Sequence, residues 1–203
     1  MLVSTFEILV KPQLPSVLPP GTPPIPGIGN LSRKVIQGYF LTVANVNFFP
    51  VTVSLVFTLK FPVTVPPRLP SNFQDFLDIV DITGENIFGP APQARLIPEI
   101  VPQNNKARLT FTIPENTTGL IILQPNILRP GVLEGANFEA RGYVEIFLSS
   151  LSGSDEATLL VTPEHRGTFF KNLTGATLAE VGLDQIAYAL PVSNGGVFLL
   201  SNT

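Results

Sequence analysis

The chain has 203 residues, of which 13% are charged, and its formal net charge is −3. This length suits one large β domain, since sandwiches and barrels often run to about 200–250 residues. The weakly acidic balance provides no basic field, so neither nucleic acid nor anionic lipid is an expected partner. Cysteine is absent, which excludes disulfides, thiolate nucleophiles and cysteine-based metal sites.

The low charge content bears on whether the protein associates with other molecules. Globular proteins usually carry about 25% charged residues, roughly twice the share found here. The surface must therefore consist largely of uncharged polar side chains, or part of it is not exposed to solvent in the working state. Twenty-one prolines and sixteen glycines predict many turns and few long helices. No apolar run approaches the ~20 residues that a membrane-spanning helix needs.

The first predicted element is a short strand over residues 4–10, with the sequence S-T-F-E-I-L-V. Its apolar side chains are Phe6, Ile8, Leu9 and Val10, and these are the residues we expect to contact a partner. Two arrangements are consistent with the sequence. The strand could fold back on the edge of its own domain, or it could complete the sheet of a neighbouring subunit by β-augmentation.

A proline-rich segment follows this strand. Residues 11–29 contain seven prolines, which fix φ and remove backbone donors, so an extended spacer of polyproline II type is predicted. We therefore predict two parts: an N-terminal strand with a proline-rich arm over residues 1–29, and a β-sandwich domain over residues 30–203.

The clearest strand covers residues 51–61, V-T-V-S-L-V-F-T-L-K-F. Its odd positions are all apolar and its even positions are polar except for Val56, which predicts one core face and one largely wet face. Residues 35–47 form another predicted strand, and we expect it to pair with the strand over residues 51–61 as a central hairpin.

Further strands are predicted along the middle of the chain. Residues 76–82 contain several β-branched side chains, which favour an extended chain. Residues 107–113 alternate regularly between apolar and polar side chains. The run that begins at Gly119 is apolar on both faces, as expected of a central strand. Residues 137–150 alternate again, and Gly142 in their middle predicts a bulge or a close backbone approach.

The C-terminal part is predicted to contain a strand that begins at residue 157, a turn at P-E-H-R-G and a short helix within residues 174–182. The last two strands, 185–190 and 197–200, are predicted to form a hairpin at Asn194-Gly195. About ten to twelve short strands at this spacing predict an all-β chain with a single antiparallel sandwich or jelly-roll-like domain.

The residues that could carry chemistry are sparse. His165 is the sole histidine, and its place in a turn with charged neighbours predicts a solvated side chain with no G-x-S-x-G partner. The carboxylates Asp75, Asp78 and Asp81 would form a calcium-binding stripe on a helix but divide between faces on a strand. Since no dense oxygen-ligand loop is present, a solvated acidic edge is predicted. No catalytic, metal or cofactor site is expected.

Other polar residues fit a structural interpretation. Glu139 and Glu145 flank Arg141 on one strand face and are predicted to form cross-strand ion pairs or a polar outer face. Tyr39 and Tyr188, together with the third tyrosine, Tyr143, could line a sugar-binding face.

The predicted function is a non-enzymatic structural or assembly protein. We expect a subunit of a surface filament, sheath or shell that associates with copies of itself through its N-terminal strand. The alternative is a ligand-binding β-sandwich module for carbohydrate, peptide or a small molecule, using loops around residues 75–86 or 164–166. The predicted location is extracellular or at the cell surface. The start of the chain lacks a basic n-region, which leaves retention inside the cell, a removed leader or another export route open.

Overall fold

The computed structural model describes residues 1–13, 33–62, 69–82, 97–99, 105–171 and 177–202. Within these ranges the fold is an antiparallel, curled sheet of eleven strands. The strands, in chain order, are β1 Leu2–Pro12, β2 Lys34–Asn45, β3 Val51–Leu59, β4 Phe76–Ile82, β5 Ile97–Glu99, β6 Lys106–Ile113, β7 Thr118–Pro125, β8 Phe138–Leu148, β9 Glu156–Phe170, β10 Asp184–Ala189 and β11 Val197–Ser201. The predicted all-β fold is confirmed, and the strands belong to one continuous hydrogen-bonded sheet.

The helical elements are short. The described residues include two α-helices of four residues each, α1 Val132–Gly135 and α2 Leu178–Val181, and two 3₁₀ helices, Phe73–Asp75 and Ser193–Gly196. The helix predicted within residues 174–182 is therefore limited to α2, and the start of that range lies outside the described residues. In the part of the chain that the structure describes, the helices lack the length and apolar character needed to cross a membrane.

The strand order explains how the sheet is divided. The main path runs β10-β9-β2-β1-β8-β3-β6-β5, with β11 also pairing with β9. Strand β2 changes partner along one edge. Its residues 34–37 pair with β1, whereas residues 39–44 pair with β7, which in turn pairs with β4. As a result, β1 is the hydrogen-bonded connection between the β2–β9 part and the β8–β3 part of the sheet.

The local sequence pattern accounts for most strands. β6 and β8 bury every second side chain, as their alternation predicts. β7 pairs on both sides, so the central strand predicted from its continuous apolar run is confirmed. The strand predicted over residues 76–82 is β4 itself.

Strand β3 differs from its predicted half-wet form because all nine of its residues are buried. Two of the three hydroxyl side chains on its second face pair with hydroxyls of β6, whereas Thr58 Oγ1 is buried without a hydrogen-bond partner among the described residues. Thr52 Oγ1 lies 2.8 Å from Thr112 Oγ1, and Ser54 Oγ lies 2.8 Å from Thr110 Oγ1. Cross-strand hydroxyl pairs of this kind satisfy the polar groups and allow the face to be covered.

Both predicted hairpins are wrong. β2 and β3 do not pair, since β3 lies between β8 and β6. The Asn45 side chain instead directs the chain between the two parts of the sheet: its Nδ2 donates to the carbonyls of Phe49, Ile113 and Pro114.

The last two strands also fail to pair with each other. β10 pairs with residues 164–169 of β9, and β11 pairs with residues 156–160 of the same strand. The fifteen residues of β9 are enough to hold both partners end to end. Asn194 and Gly195, with φ of 52° and 63°, form a local turn between them.

Candidate strand-binding site

Strand β1 occupies an interior position in the sheet. Its residues from Leu2 to Val10 pair with β8, and its residues from Leu9 to Pro12 pair with β2. This is not the edge position considered from the sequence, because both sides of the strand have hydrogen-bonded neighbours. We call the space between β2 and β8 that β1 fills the β1 slot.

The predicted partner-binding residues lie on both faces of β1. Phe6, Ile8 and Val10 are 3%, 0% and 0% exposed and point into the core, whereas Leu9 is half-buried on the opposite face. All four contact their own chain in this structure. Whether they bind a second subunit stays a prediction.

An aromatic cluster holds Phe6 in the β1 slot. The Phe6 ring centroid lies 5.6 Å from that of Tyr39 and 6.0 Å from that of Phe57, and the Tyr39 and Phe57 centroids are 6.3 Å apart. Tilted and edge-on pairs at these distances contribute about 0.5–1.5 kcal/mol beyond burial. Tyr39 Oη is itself 2.8 Å from Ser4 Oγ, and burial raises the pKa of the Tyr39 phenol. The cluster therefore fixes β1 through apolar and polar contacts at once.

Gly142 of β8 lies opposite Phe6. A Cβ at this position would lie 2.1 Å from the Thr58 carbonyl oxygen and 2.8 Å from Phe6 Cζ. The close backbone approach predicted from the sequence is confirmed, and it permits β1, β8 and β3 to pack at this point.

We expect Gly142→Ala to destabilise the protein by at least about 1–3 kcal/mol, the usual cost of overpacking, because its methyl group would collide with backbone. Urea unfolding measures this loss. Gly135→Ala is the matched control, since a Cβ there would meet nothing closer than 3.5 Å, and its effect should stay within about 0.5 kcal/mol. Equal midpoints for both variants would contradict the assigned packing.

Four hydrogen bonds form a ring around the backbone of Glu7. The Glu7 N–H donates to His165 Nε2 at 3.0 Å, and His165 Nδ1 lies 3.0 Å from Tyr188 Oη. Tyr188 Oη donates to Gln37 Oε1 at 3.2 Å, and Gln37 Nε2 donates to the Glu7 carbonyl at 3.0 Å. Because Nε2 accepts, the ring proton of neutral His165 belongs on Nδ1, where it is donated to Tyr188. We call these four residues the Glu7 ring.

The predicted solvated turn at His165 is wrong. β9 continues through P-E-H-R-G, so the imidazole is 6% exposed and lies edge-on to Tyr39 and Tyr188. Burial lowers the pKa of His165, and the Glu7 carboxylate partly opposes this shift. The alternation of Ala157, Leu159 and Val161, continued by twos, reaches residue 165 and would have indicated an inward histidine.

Ion pairs cover the opposite face of β1 and β8. Arg141 Nε donates to Glu7 Oε1 at 2.7 Å, Arg141 also pairs with Glu139 at 2.8 Å, and Lys11 pairs with Glu139. The Glu7–Arg141 and Lys11–Glu139 pairs join β1 to β8, so the predicted cross-strand ion pairing is confirmed for Glu139, and for Glu145 it stays a prediction. Such partly exposed pairs contribute up to about 1 kcal/mol each, so they set the register more than the stability.

The three aspartates do not form one acidic edge. Asp75 is buried and accepts hydrogen bonds from Ser71 N at 2.6 Å and Ser71 Oγ at 2.8 Å, and Arg129 pairs with it. It closes a capping box on the 3₁₀ helix, which is why the solvated position is wrong for this residue. Asp78 and Asp81 lie on β4, three residues apart, and so divide between its faces. Among the described residues, no three potential ligands come together as a metal site.

An open cleft of about 510 Å³ lies on the outer face of β2, β9 and β10. Gly38, Phe40, Gln124, Arg166 and Gln185 are among its lining residues. Arg166 lies 4.5 Å above the Phe40 ring centroid. The predicted binding loop at residues 164–166 is therefore a strand that contributes one wall of a cleft.

No protein-family model, curated protein or solved structure matches the chain. The geometry of β1 and its slot is thus the basis for inferring function. The sequence pattern indicated β1 and its apolar side chains. It did not indicate Gln37, Tyr39, His165 or Tyr188 as the groups that hold the strand.

Proposed function

We propose that the protein is a non-enzymatic structural subunit that assembles by exchanging β1, so that β1 of one copy fills the β1 slot of the next. The observation that supports this is the connection between β1 and β2. These strands are antiparallel neighbours, and Gln13 N donates to the Arg33 carbonyl at 2.6 Å. A turn of two residues closes an ordinary hairpin, yet residues 14–32 are present between them. A connection of this length in a compact domain is uncommon and is usually functional.

The same connection is long enough to reach another subunit. The predicted spacer structure of these residues lies outside the described part of the chain, but their sequence contains six prolines. At ~3.1 Å per residue in polyproline II, such a segment spans on the order of 60 Å. A folded chain of this size has a radius of gyration of only about 17 Å. The arm can therefore deliver β1 to a neighbour in contact with its own domain.

Exchange preserves the contacts of β1. The aromatic cluster, the Glu7 ring and the β8 register are the same whether β1 comes from its own chain or from another. The balance between the two forms then depends on subunit concentration and on the arm, which is the physical basis of domain swapping.

The strand and the slot are different surfaces, and this determines the kind of assembly. A head-to-tail contact that does not close on itself produces an open filament, and one that closes produces a ring or a shell. The sparse surface charge offers little repulsion against such association. We accordingly place the protein in a filament, sheath or shell at the cell surface or outside the cell.

A disulfide trap tests the proposal, and the cysteine-free chain makes it clean. Thr5 lies opposite Tyr143, two residues from the Glu7–Arg141 pair. Side chains of the Glu7 ring take up the Glu7 backbone groups, so Glu7–Arg141 and Thr5–Tyr143 are non-hydrogen-bonded pairs with Cα atoms ~4.5 Å apart. This spacing permits a disulfide. Thr5→Cys with Tyr143→Cys should therefore give disulfide-linked multimers on non-reducing gels at high protein concentration.

The matched control places both cysteines in strands that do not exchange. Thr158 and Leu199 face each other on β9 and β11, and the Asn47 side chain takes up the Thr158 backbone groups on the other side. Thr158→Cys with Leu199→Cys should give monomers alone. If Thr5→Cys with Tyr143→Cys also gives monomers alone at every concentration, exchange of β1 is refuted. Ligand binding at the cleft beside Arg166 then becomes the leading function.

A further inference from the structure

The middle of β1 is held to the neighbouring strands by side chains. Backbone pairing between β1 and β2 begins at Leu9 and Gln37, so the Glu7 N–H and carbonyl lie beyond the end of this ladder. His165 accepts from the N–H, and Gln37 donates to the carbonyl. These two side chains replace the backbone partners that β2 does not supply, since β2 turns to β7 from Tyr39 onward.

The hydrogen bonds of the Glu7 ring all run in one direction around the ring, from each donor to the next acceptor. Each donor meets an acceptor when His165 is neutral and carries its proton on Nδ1. Burial, followed by the Glu7 carboxylate, raises the pKa of Tyr188, so this phenol stays protonated and donates to Gln37. A second proton on His165 would occupy Nε2 and face the Glu7 N–H, which is also a donor. The hydrogen bond would be lost and the two groups would repel each other.

The charged and titratable groups that contact His165, flank it on β9 or pair with such a group are Glu7, Glu164, Arg141, Arg166, Tyr39 and Tyr188. The Glu7 carboxylate favours the imidazolium, but it is itself paired with Arg141. Glu164 and Arg166 are neighbours of His165 along β9, point to the other face, and pair with each other at 3.0 Å. Tyr39 and Tyr188 are neutral phenols. Nothing in this set compensates a buried positive charge in full.

We propose that protonation of His165 loosens β1 from its slot, so that mild acid promotes release of this strand. The role of that release in assembly rests on the proposed exchange of β1. The sign follows from burial. The pKa of His165 is lowered in the fold, so the unfolded or released chain binds the proton more tightly. The His165 contribution to holding β1 is present above about pH 6.5, the ordinary histidine value, and is lost as the pH falls from there toward the lowered value.

Amide hydrogen exchange of the full chain tests this inference. The protection factor of the Glu7 amide, corrected for the intrinsic exchange rate, is followed by NMR between about pH 4.5 and 7.5. Uptake of one proton allows the opening equilibrium to rise by up to about tenfold per pH unit. We expect the Glu7 amide to lose protection with this slope on acidification, while the Leu55 amide in β3 keeps its protection.

Two variants distinguish the effect of His165 protonation from other effects of low pH on the fold. His165→Gln offers one acceptor and one donor without a titrating group, so its Glu7 protection should not change with pH. Glu7→Gln keeps the backbone bonds but removes the carboxylate that favours the imidazolium, so its transition should move to lower pH.

Constant Glu7 protection in the native chain, or an equal loss in His165→Gln, would overturn the proposal. The measurement is made on monomers. It therefore gives its answer whether or not β1 is exchanged between subunits, and its failure is distinct from failure of the disulfide trap.

Discussion

Deletion of residues 1–12 should abolish the native fold, and a synthetic peptide of these twelve residues should restore it when added in excess. Without β1, the hydrogen-bonded connection between β2 and β8 is lost, and the aromatic groups of Tyr39 and Phe57 face an open groove. An unpaired groove of this kind is costly because it exposes apolar surface and backbone donors together. Amide chemical-shift dispersion in NMR spectra checks both steps, since it collapses without fixed packing and returns with it.

A peptide with Phe6 replaced by Asp is the control for this rescue, because a buried carboxylate without a partner would prevent binding. Rescue by the native peptide but not by this one would show that the β1 slot accepts a strand from another molecule. A truncated chain as dispersed and as stable as the native chain would contradict the assigned position of β1.

Phe6→Ala should lower the free energy of unfolding by about 3–5 kcal/mol, as large-to-small changes of a buried phenylalanine do. Phe6 is 3% exposed, and its ring contacts both other rings of the aromatic cluster. The loss removes these pairs and leaves a cavity above Gly142, where neighbouring backbone limits collapse. Because domains have only about 5–15 kcal/mol of stability, the variant should unfold at a much lower urea midpoint.

Leu9→Ala on the same strand is the matched control. Leu9 is half-buried on the opposite face, so its truncation should cost about 1 kcal/mol. The two urea midpoints, measured with similar m-values, report the difference between the faces of β1. Equal losses would contradict the assigned orientation of the strand.

Local patterns predicted the strands well because side-chain alternation is a property of the extended chain itself. The residues of β4 and β6 were predicted nearly to their ends, and the close approach at Gly142 followed from a glycine inside a strand. These features depend on neighbours along the sequence. They need no knowledge of which strands pair.

Pairing was predicted poorly, and the failures share one cause. The two expected hairpins assumed that strands adjacent in sequence are adjacent in the sheet. Here the Asn45 side chain directs β2 away from β3, and the length of β9 allows β10 and β11 to share it. Partner choice is a long-range property, set by which buried faces and polar groups complement each other in three dimensions.

The site shows the same division. Phe6, Ile8 and Val10 were identified from the sequence as an apolar strand ahead of a proline-rich arm. The predicted turn at His165 ended the strand before the alternation of β9 reached this residue. The side chains that complete the Glu7 ring come from three other strands, and the one from β9 is 158 positions from Glu7. A hydrogen-bonded ring across β1, β2, β9 and β10 has no periodic signature.

The amino-acid sequence by itself determined that this protein is built from strands, that its surface is poor in charge, and that a strand precedes a long proline-rich connection. These follow from composition and from the period of two along an extended backbone. Only the tertiary structure decided that β1 lies between β2 and β8, and that a buried histidine holds its centre. Both depend on contacts between residues more than a hundred positions apart, which no local pattern encodes.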